Sequence, residues 1–331
     1  MVSRLARTSP SAVRLLALTV LFLAGTALDV ARAQEAAQDP TQVLELSARP
    51  RAGDVIHLEL RKEQERQVPN RPAQRSSSLL RVTLEVLESG AEGLVVRWSH
   101  SRPAGDPAPP SSEAADDGEV IWELVRDIHY DLEFDASGEF VRLRNYEQVR
   151  PLVDRMLSEI GGILAKRGNA AAAEQATALV RRMFASRSNL ESVLLREPRL
   201  FFYPMGKRFV LDAPYEFDAQ LPNPFGGAGL PAHGTLRVDW IDRNRGLAAV
   251  TMEQTLHPDS VRIAVESLLQ RMPPERRPQN VDPARLDVDV RDSARYTVNL
   301  EDGLPERMDF SRITRVPGGY RRDVVGVRRT D

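Results

Sequence analysis

Residues 128–164 read IHYDLEFDASGEFVRLRNYEQVRPLVDRMLSEIGGIL. Ile128, Tyr130, Leu132 and Phe134 alternate with His129, Asp131, Glu133 and Asp135. That is the period of two of a half-buried strand. Asp135-Ala-Ser-Gly138 reads as a turn, with Gly free to take positive φ. Val141 and Leu143 resume the alternation, and then the period changes. Val149, Leu152, Val153, Met156, Leu157, Ile160 and Leu164 recur at three and four, one face of a helix. Strand, turn, strand and helix in one stretch point to an α+β fold built on antiparallel hairpins.

Downstream, the spacing predicts more helix. Asn145 and Gln148 have the spacing of a capping box, and Pro151 falls in or near the first turns. Gly161-Gly162 weakens the helix near its end. Ala170 to Phe184 reads as a second helix; Asn189 is expected to cap a third, which Pro198 would stop. These stripes suit helices packed on a sheet face; a movable lid over a cavity is the other reading.

Upstream, strands are expected from Gly53 through Leu60, over Leu80 to Val86, and over Leu94 to Trp98 after the turn Ser89-Gly-Ala-Glu-Gly93. Asn70 to Ser78 reads as a polar turn region, and Arg102 to Gly118 as a solvated loop. Val120, Trp122 and Leu124 are expected to resume the sheet.

The second half returns to this grammar. Gly206-Lys-Arg-Phe-Val-Leu reads like Gly53-Asp-Val-Ile-His-Leu, and residues 235–250 read like residues 78–96. Residues 294–303 read like residues 128–138. The offset grows because Ser260 to Met272 is helical where the first half has a Pro-rich loop. A duplication and a chance likeness of hairpins both produce such a pattern. The last strands fall at Glu306 to Thr314 and Tyr320 to Arg328.

The N-terminus has the order of a secretory signal: Arg4, Arg7 and Arg14, an apolar run from Leu15 to Leu28, then Ala31-Arg32-Ala33. Cleavage is expected after Ala33, for a periplasmic or secreted product that spans no membrane. The organisation is therefore a signal at 1–33, a flexible lead-in at 34–52 with one short segment at Val43 to Leu46, and an antiparallel β domain at 53–331. That domain comprises two similar halves, 53–145 and 206–331, joined by a helical segment at 146–197. The formal charge of −2 carries no global basic character, which argues against nucleic acid. The absence of Cys removes disulfides, thiolate nucleophiles and thiolate metal sites.

Catalytic signatures are missing. The five His form neither H-x-x-x-H nor H-E-x-x-H, and no Ser stands in G-x-S-x-G. The Gly226-Gly-Ala-Gly229 loop lacks the Lys-Ser/Thr of a phosphate loop. No enzyme, cofactor or metal is expected. Trp98, Trp122, Tyr130, Phe134, Phe209, Phe217 and Trp240 fall on apolar strand faces. They read as core, or as the lining of a ligand cavity.

Tyr130, Asp135 and Gly138, then Phe202, Pro204 and Gly206, are the residues by which the chain resembles a family of secreted bacterial proteins of unknown function. More remotely, its layout is similar to the lipoprotein-carrier superfamily. That resemblance implies a large curved antiparallel sheet, an open half-barrel, with a helical lid over acyl chains. The expected function is a non-enzymatic exported carrier or binding protein for an apolar, lipid-like ligand. The alternative is a structural or interaction protein of the cell envelope, with an envelope protein as partner. Intact-mass measurement of the exported protein should give an N-terminus at Gln34; a mature N-terminus upstream of Leu28 would overturn the assignment of the signal.

Overall fold

The computed structural model describes residues 43–69, 71–102, 123, 126, 128–167, 174, 177–178, 181, 184, 186–211, 213–221, 230–271, 289–316 and 319–330. Residues 1–33, expected to be a signal, and Trp122 lie outside the described residues. The first half supplies β1 (Val43–Glu45), β2 (Val55–Gln67), β3 (Gln74–Gly90), β4 (Gly93–Ser101), β5 (His129–Asp135) and β6 (Phe140–Leu143). The helices α1 (Tyr146–Arg167), α2 (Arg187–Leu194) and α3 (Arg196–Phe201) follow, and Glu174, Thr177, Ala178 and Arg181 between the first two are also helical. The second half supplies β7 (Arg208–Val210), β8 (Tyr215–Leu221), β9 (Leu230–Asp242), β10 (Leu247–Leu256), α4 (Pro258–Arg271), β11 (Asp289–Asn299), β12 (Pro305–Val316) and β13 (Gly319–Arg329).

The fold is α+β. Eleven strands form one curved, open antiparallel sheet in the order β6-β5-β4-β3-β2-β13-β12-β11-β10-β9-β8. Each half is an antiparallel meander in which strands consecutive in the chain are neighbours in the sheet, with long connections after β4 and β10. Both meanders carry register shifts. The β5–β6 register shifts between Glu133 and Phe134, and the β11–β12 register shifts between Thr297 and Val298. β13 is the strand that joins the halves: it pairs with β12 on one side and β2 on the other.

β1 and β7 form a separate two-stranded ribbon, Val43 opposite Val210. The hairpin turns of both meanders meet this ribbon. Gly206 takes φ +68°, and a Cβ there would lie 1.8 Å from Ser137 O in the β5–β6 turn. Gly303, in the β11–β12 turn, takes φ +72°, and a Cβ there would lie 2.0 Å from Ser47 O. The lead-in is thus tied into the fold from Val43 onward, with Arg49 N donating to Asp302 O at 2.8 Å.

Alternation puts Ile56, Leu58 and Leu60 of β2, Val82 and Leu84 of β3, and Tyr296, Met308, Phe310 and Val327 of the second half into one core. α1 adds Val149, Val153 and Leu157 to it, at the spacing of a helix face. Gly161 lets helical Thr177 approach, since a Cβ there would be 2.9 Å from Thr177 Oγ1.

Four local readings are corrected. Asn145 does not cap α1 with its side chain. Its Oδ1 accepts from Asp131 N and its Nδ2 donates to His129 O, so it extends the edge of β5. Ser186, not Asn189, caps α2, accepting from Asn189 N at 3.1 Å. Pro198 does not end the helical region, because the chain restarts at Arg196 and Pro198 sits in the first turn of α3, where its missing N–H has no intrahelical partner to lose. Val120, Trp122 and Leu124, expected to resume the sheet, lie outside the described residues. The turn between β2 and β3 is shorter than expected, since ladder pairing runs out to Arg66 opposite Gln74.

Gly206→Ala should lower unfolding free energy by more than about 2 kcal/mol, because strain and a backbone clash add there. Gly246→Ala, at φ +63° with nothing within 4 Å of the added Cβ, should show only the conformational part, about 1–2 kcal/mol. Urea denaturation of the two variants measures the difference.

Candidate functional site

The inner face of the sheet changes character from one cross-strand row to the next. Val250, Tyr296, Met308, Val327, Leu60 and Leu80 stand side by side and form an apolar row. The next row, two residues along, replaces two apolar positions with Lys62 and Ser78, beside Val325 and Phe310. The row after that is polar throughout: Gln254, Asp292, Arg312, Asp323, Gln64 and Ser76. Beyond it stand Thr314, Arg321 and Arg66.

Most charges in these rows are matched. Arg312 grips Asp292 with Nε at 2.7 Å and Nη2 at 2.6 Å. Arg321 donates to Asp323, which also accepts from Gln64 Nε2 at 3.2 Å. Lys62 Nζ lies 2.8 Å from Glu197 of α3. Burial works against the Glu197 carboxylate, but the Lys62 and Arg196 charges outweigh it, and its pKa lies below the usual value.

Arg196 of α3 differs. Its guanidinium stands over the Phe310 ring, 5.6 Å from the centroid. Its Nε and Nη2 are buried without a hydrogen-bond partner. Burial, then the like charge of Arg312, pushes its pKa below the usual guanidinium value. Arg66 Nε and Nη2, His100 Nδ1 and both polar side-chain atoms of Gln254 are likewise buried and unpartnered.

The aromatic candidates divide. Trp98 is fully buried, with Phe201 at 5.8 Å and Phe202 at 6.4 Å between ring centroids. Phe134 lies 4.8 Å from Phe202, and Phe217 lies 6.0 Å from Tyr203. Residues 201–203 therefore draw together aromatics of both meanders. Tyr130 is buried, 6.0 Å from His100, and burial raises its pKa. Phe209 is buried in the core from β7. Trp240 stands apart: it is 47% exposed, beside the β9–β10 turn. Trp122 lies outside the described residues.

The sequence reading passed over Lys62, Arg196, Glu197, Asp292, Arg312 and Asp323. Their signal was present: each strand member is in phase with inward apolar neighbours, as Lys62 is with Leu58 and Leu60. Among the described residues no group of three or more His, Asp or Glu could hold a metal ion. No helix among them is long and apolar enough to cross a membrane. No family model matches the chain, and no curated protein sequence matches it. The arrangement comprises an apolar floor, an aromatic cover and a polar end with more cations than carboxylates.

His100 supplies a pH test. Trp98 Nε1 donates to His100 Nε2 at 3.1 Å, which places the neutral ring's proton on Nδ1. Burial, then the Lys62 charge, pushes its pKa down to about 4. The unfolded chain takes up this proton first, near the ordinary value of 6.5. The contribution to stability is therefore intact above pH 6.5 and falls as pH drops towards 4, by roughly 3 kcal/mol. His100→Gln, which keeps an acceptor for Trp98, should flatten that part of the denaturation profile between pH 6.5 and 4.

Proposed function

We propose that the chain is an exported, non-enzymatic carrier for an apolar, lipid-like ligand, held between the inner face of the sheet and its helical cover. One observation carries this reading. The aromatics of both meanders are covered by a single segment, Phe201-Phe202-Tyr203, rather than by a second sheet. Side-chain packing, not a strand ladder, secures that cover. An acyl chain that displaces it buries apolar surface of similar extent, at ~25 cal/mol per Å², so the exchange is close to balanced. The signal-like order of residues 1–33 supports a location in the periplasm or outside the cell.

A second reading rests on its own observation. Trp98, Tyr296 and Phe310 are already packed by the chain's own side chains in one continuous core. A permanent core of this kind suits a structural or interaction protein of the cell envelope.

The protein purified from its native compartment should release lipid on solvent extraction, identified by mass spectrometry. A fluorescent fatty acid should bind it saturably. Phe202→Ala, which loosens the cover, should speed uptake while far-UV circular dichroism stays unchanged. An absence of both extracted lipid and saturable binding would leave the envelope interaction protein as the reading.

A further inference from the structure

The polar end of the inner face is built for charge, yet its charges do not balance. Lys62, Arg66, Arg196, Arg312 and Arg321 face Glu197, Asp292 and Asp323. His100 is neutral at pH 7, its pKa lying at about 4. The carboxylates are engaged by Lys62, Arg312 and Arg321. The surplus falls on Arg196 and Arg66.

The atoms involved identify the chemistry. Nε and one Nη of a guanidinium form a planar fork whose two N–H groups match the two oxygens of a carboxylate or phosphate. This protein uses that fork repeatedly. Arg312 applies it to Asp292, and Arg97 applies it to Asp131 at 2.8 and 3.0 Å. On Arg196 the same two atoms, Nε and Nη2, are buried and unpartnered. The guanidinium carbon stands over the Phe310 ring, 5.6 Å from its centroid. Buried N–H groups of a cation without an acceptor lower stability, and a fold retains them where something else gains.

Position adds to this. Phe310 belongs to the row that also holds Met252, Ala294 and Val325, with the apolar row of Tyr296 and Leu60 behind it. Arg196 therefore stands at the boundary between the apolar floor and the polar row. It also lies five residues before Phe201, on the segment that covers the aromatics.

We infer that Arg196 anchors the oxyanion head of an amphiphile, a carboxylate or a phosphate, whose apolar tail runs along the floor of the sheet. The proposal rests on the carrier reading for the tail and adds the head-group class. Arg66, one row further out, lines the approach. Binding of the head matches the charge left over by the ion pairs. Because Arg196 and the aromatic cover share one short segment, head-group capture and displacement of Phe201 and Phe202 are mechanically linked.

The test compares oleate, oleyl phosphate and oleyl alcohol, three ligands with one tail, on the mature protein and on Arg196→Gln. Oleate or oleyl phosphate should bind the unaltered protein about tenfold or more tightly than oleyl alcohol, the scale of a charge-assisted pair. The better of the two distinguishes carboxylate from phosphate. Arg196→Gln should remove that preference and leave oleyl alcohol binding unchanged. It should also unfold at the same temperature as the unaltered apo-protein or higher, because an unmatched buried charge is gone. Equal binding of all three ligands by the unaltered protein would overturn the anchor and leave the carrier standing. Binding of none would overturn the carrier reading and the anchor with it. A lower melting temperature for Arg196→Gln, with the head-group preference intact, would make Arg196 a structural residue and overturn the anchor alone.

Discussion

The pairing of β13 with β2 is the interaction on which the rest depends. Each meander alone has one apolar face and half a core. The ladder from Tyr320 opposite Gln67 to Arg329 opposite Leu58 joins them into one sheet and makes the inner rows continuous. Its register is demanding. Val325 must meet Lys62 and Val327 must meet Leu60 for the apolar row to cross the seam. A slip of one residue would turn Val325 and Val327 outward and bring Val324 and Gly326 in. The pairing is also the most distant in the sheet, so its closure carries a large loop entropy and belongs late in folding.

That seam also places the buried charges. Asp323 comes from β13 and Gln64 from β2, and their hydrogen bond exists only across the junction. The buried Arg312–Asp292 pair lies one ladder away. Buried ion pairs add little net stability compared with apolar side chains of the same volume, though breaking one is costly. Ion pairs at one end of an otherwise apolar face therefore add little to stability by themselves. They mark the end of the face at which a charged group is tolerated, and Arg196 stands beside them.

The ribbon of β1 and β7 performs a different task. It receives the β5–β6 turn at Gly206 and the β11–β12 turn near Ser47. Both contacts bring backbone against backbone more closely than any Cβ permits. The two meanders are thus fastened at their hairpin ends by the short segments that precede them, and the helices lie between these fixed points.

Much of this was legible in the sequence because it depends on neighbours along the chain. Alternation at Tyr130, Leu132 and Phe134 specifies a strand wherever it sits, and the stripe at Val149, Val153 and Leu157 specifies a helix. The likeness of the halves was also local: Tyr130 to Gly138 and Tyr296 to Gly303 repeat one hairpin. Caps were less legible. Asn145 has the composition of a cap, yet tertiary contact with His129 and Asp131 claims its side chain. Trp98 and Trp240 look alike in sequence, and only the fold buries one and exposes the other. The candidate site was least legible of all. Lys62, Arg196, Asp292, Arg312 and Asp323 come from five separate elements, and each reads singly as a solvated charge. Local pattern is set by the geometry of one strand or one helix, so sequence alone determines element type, in-phase faces and hairpin turns. Which charges share a row, which is matched and which is left over depend on ladder register between strands, and Lys62, Gln64 and Arg66 joined their rows only when β13 met β2.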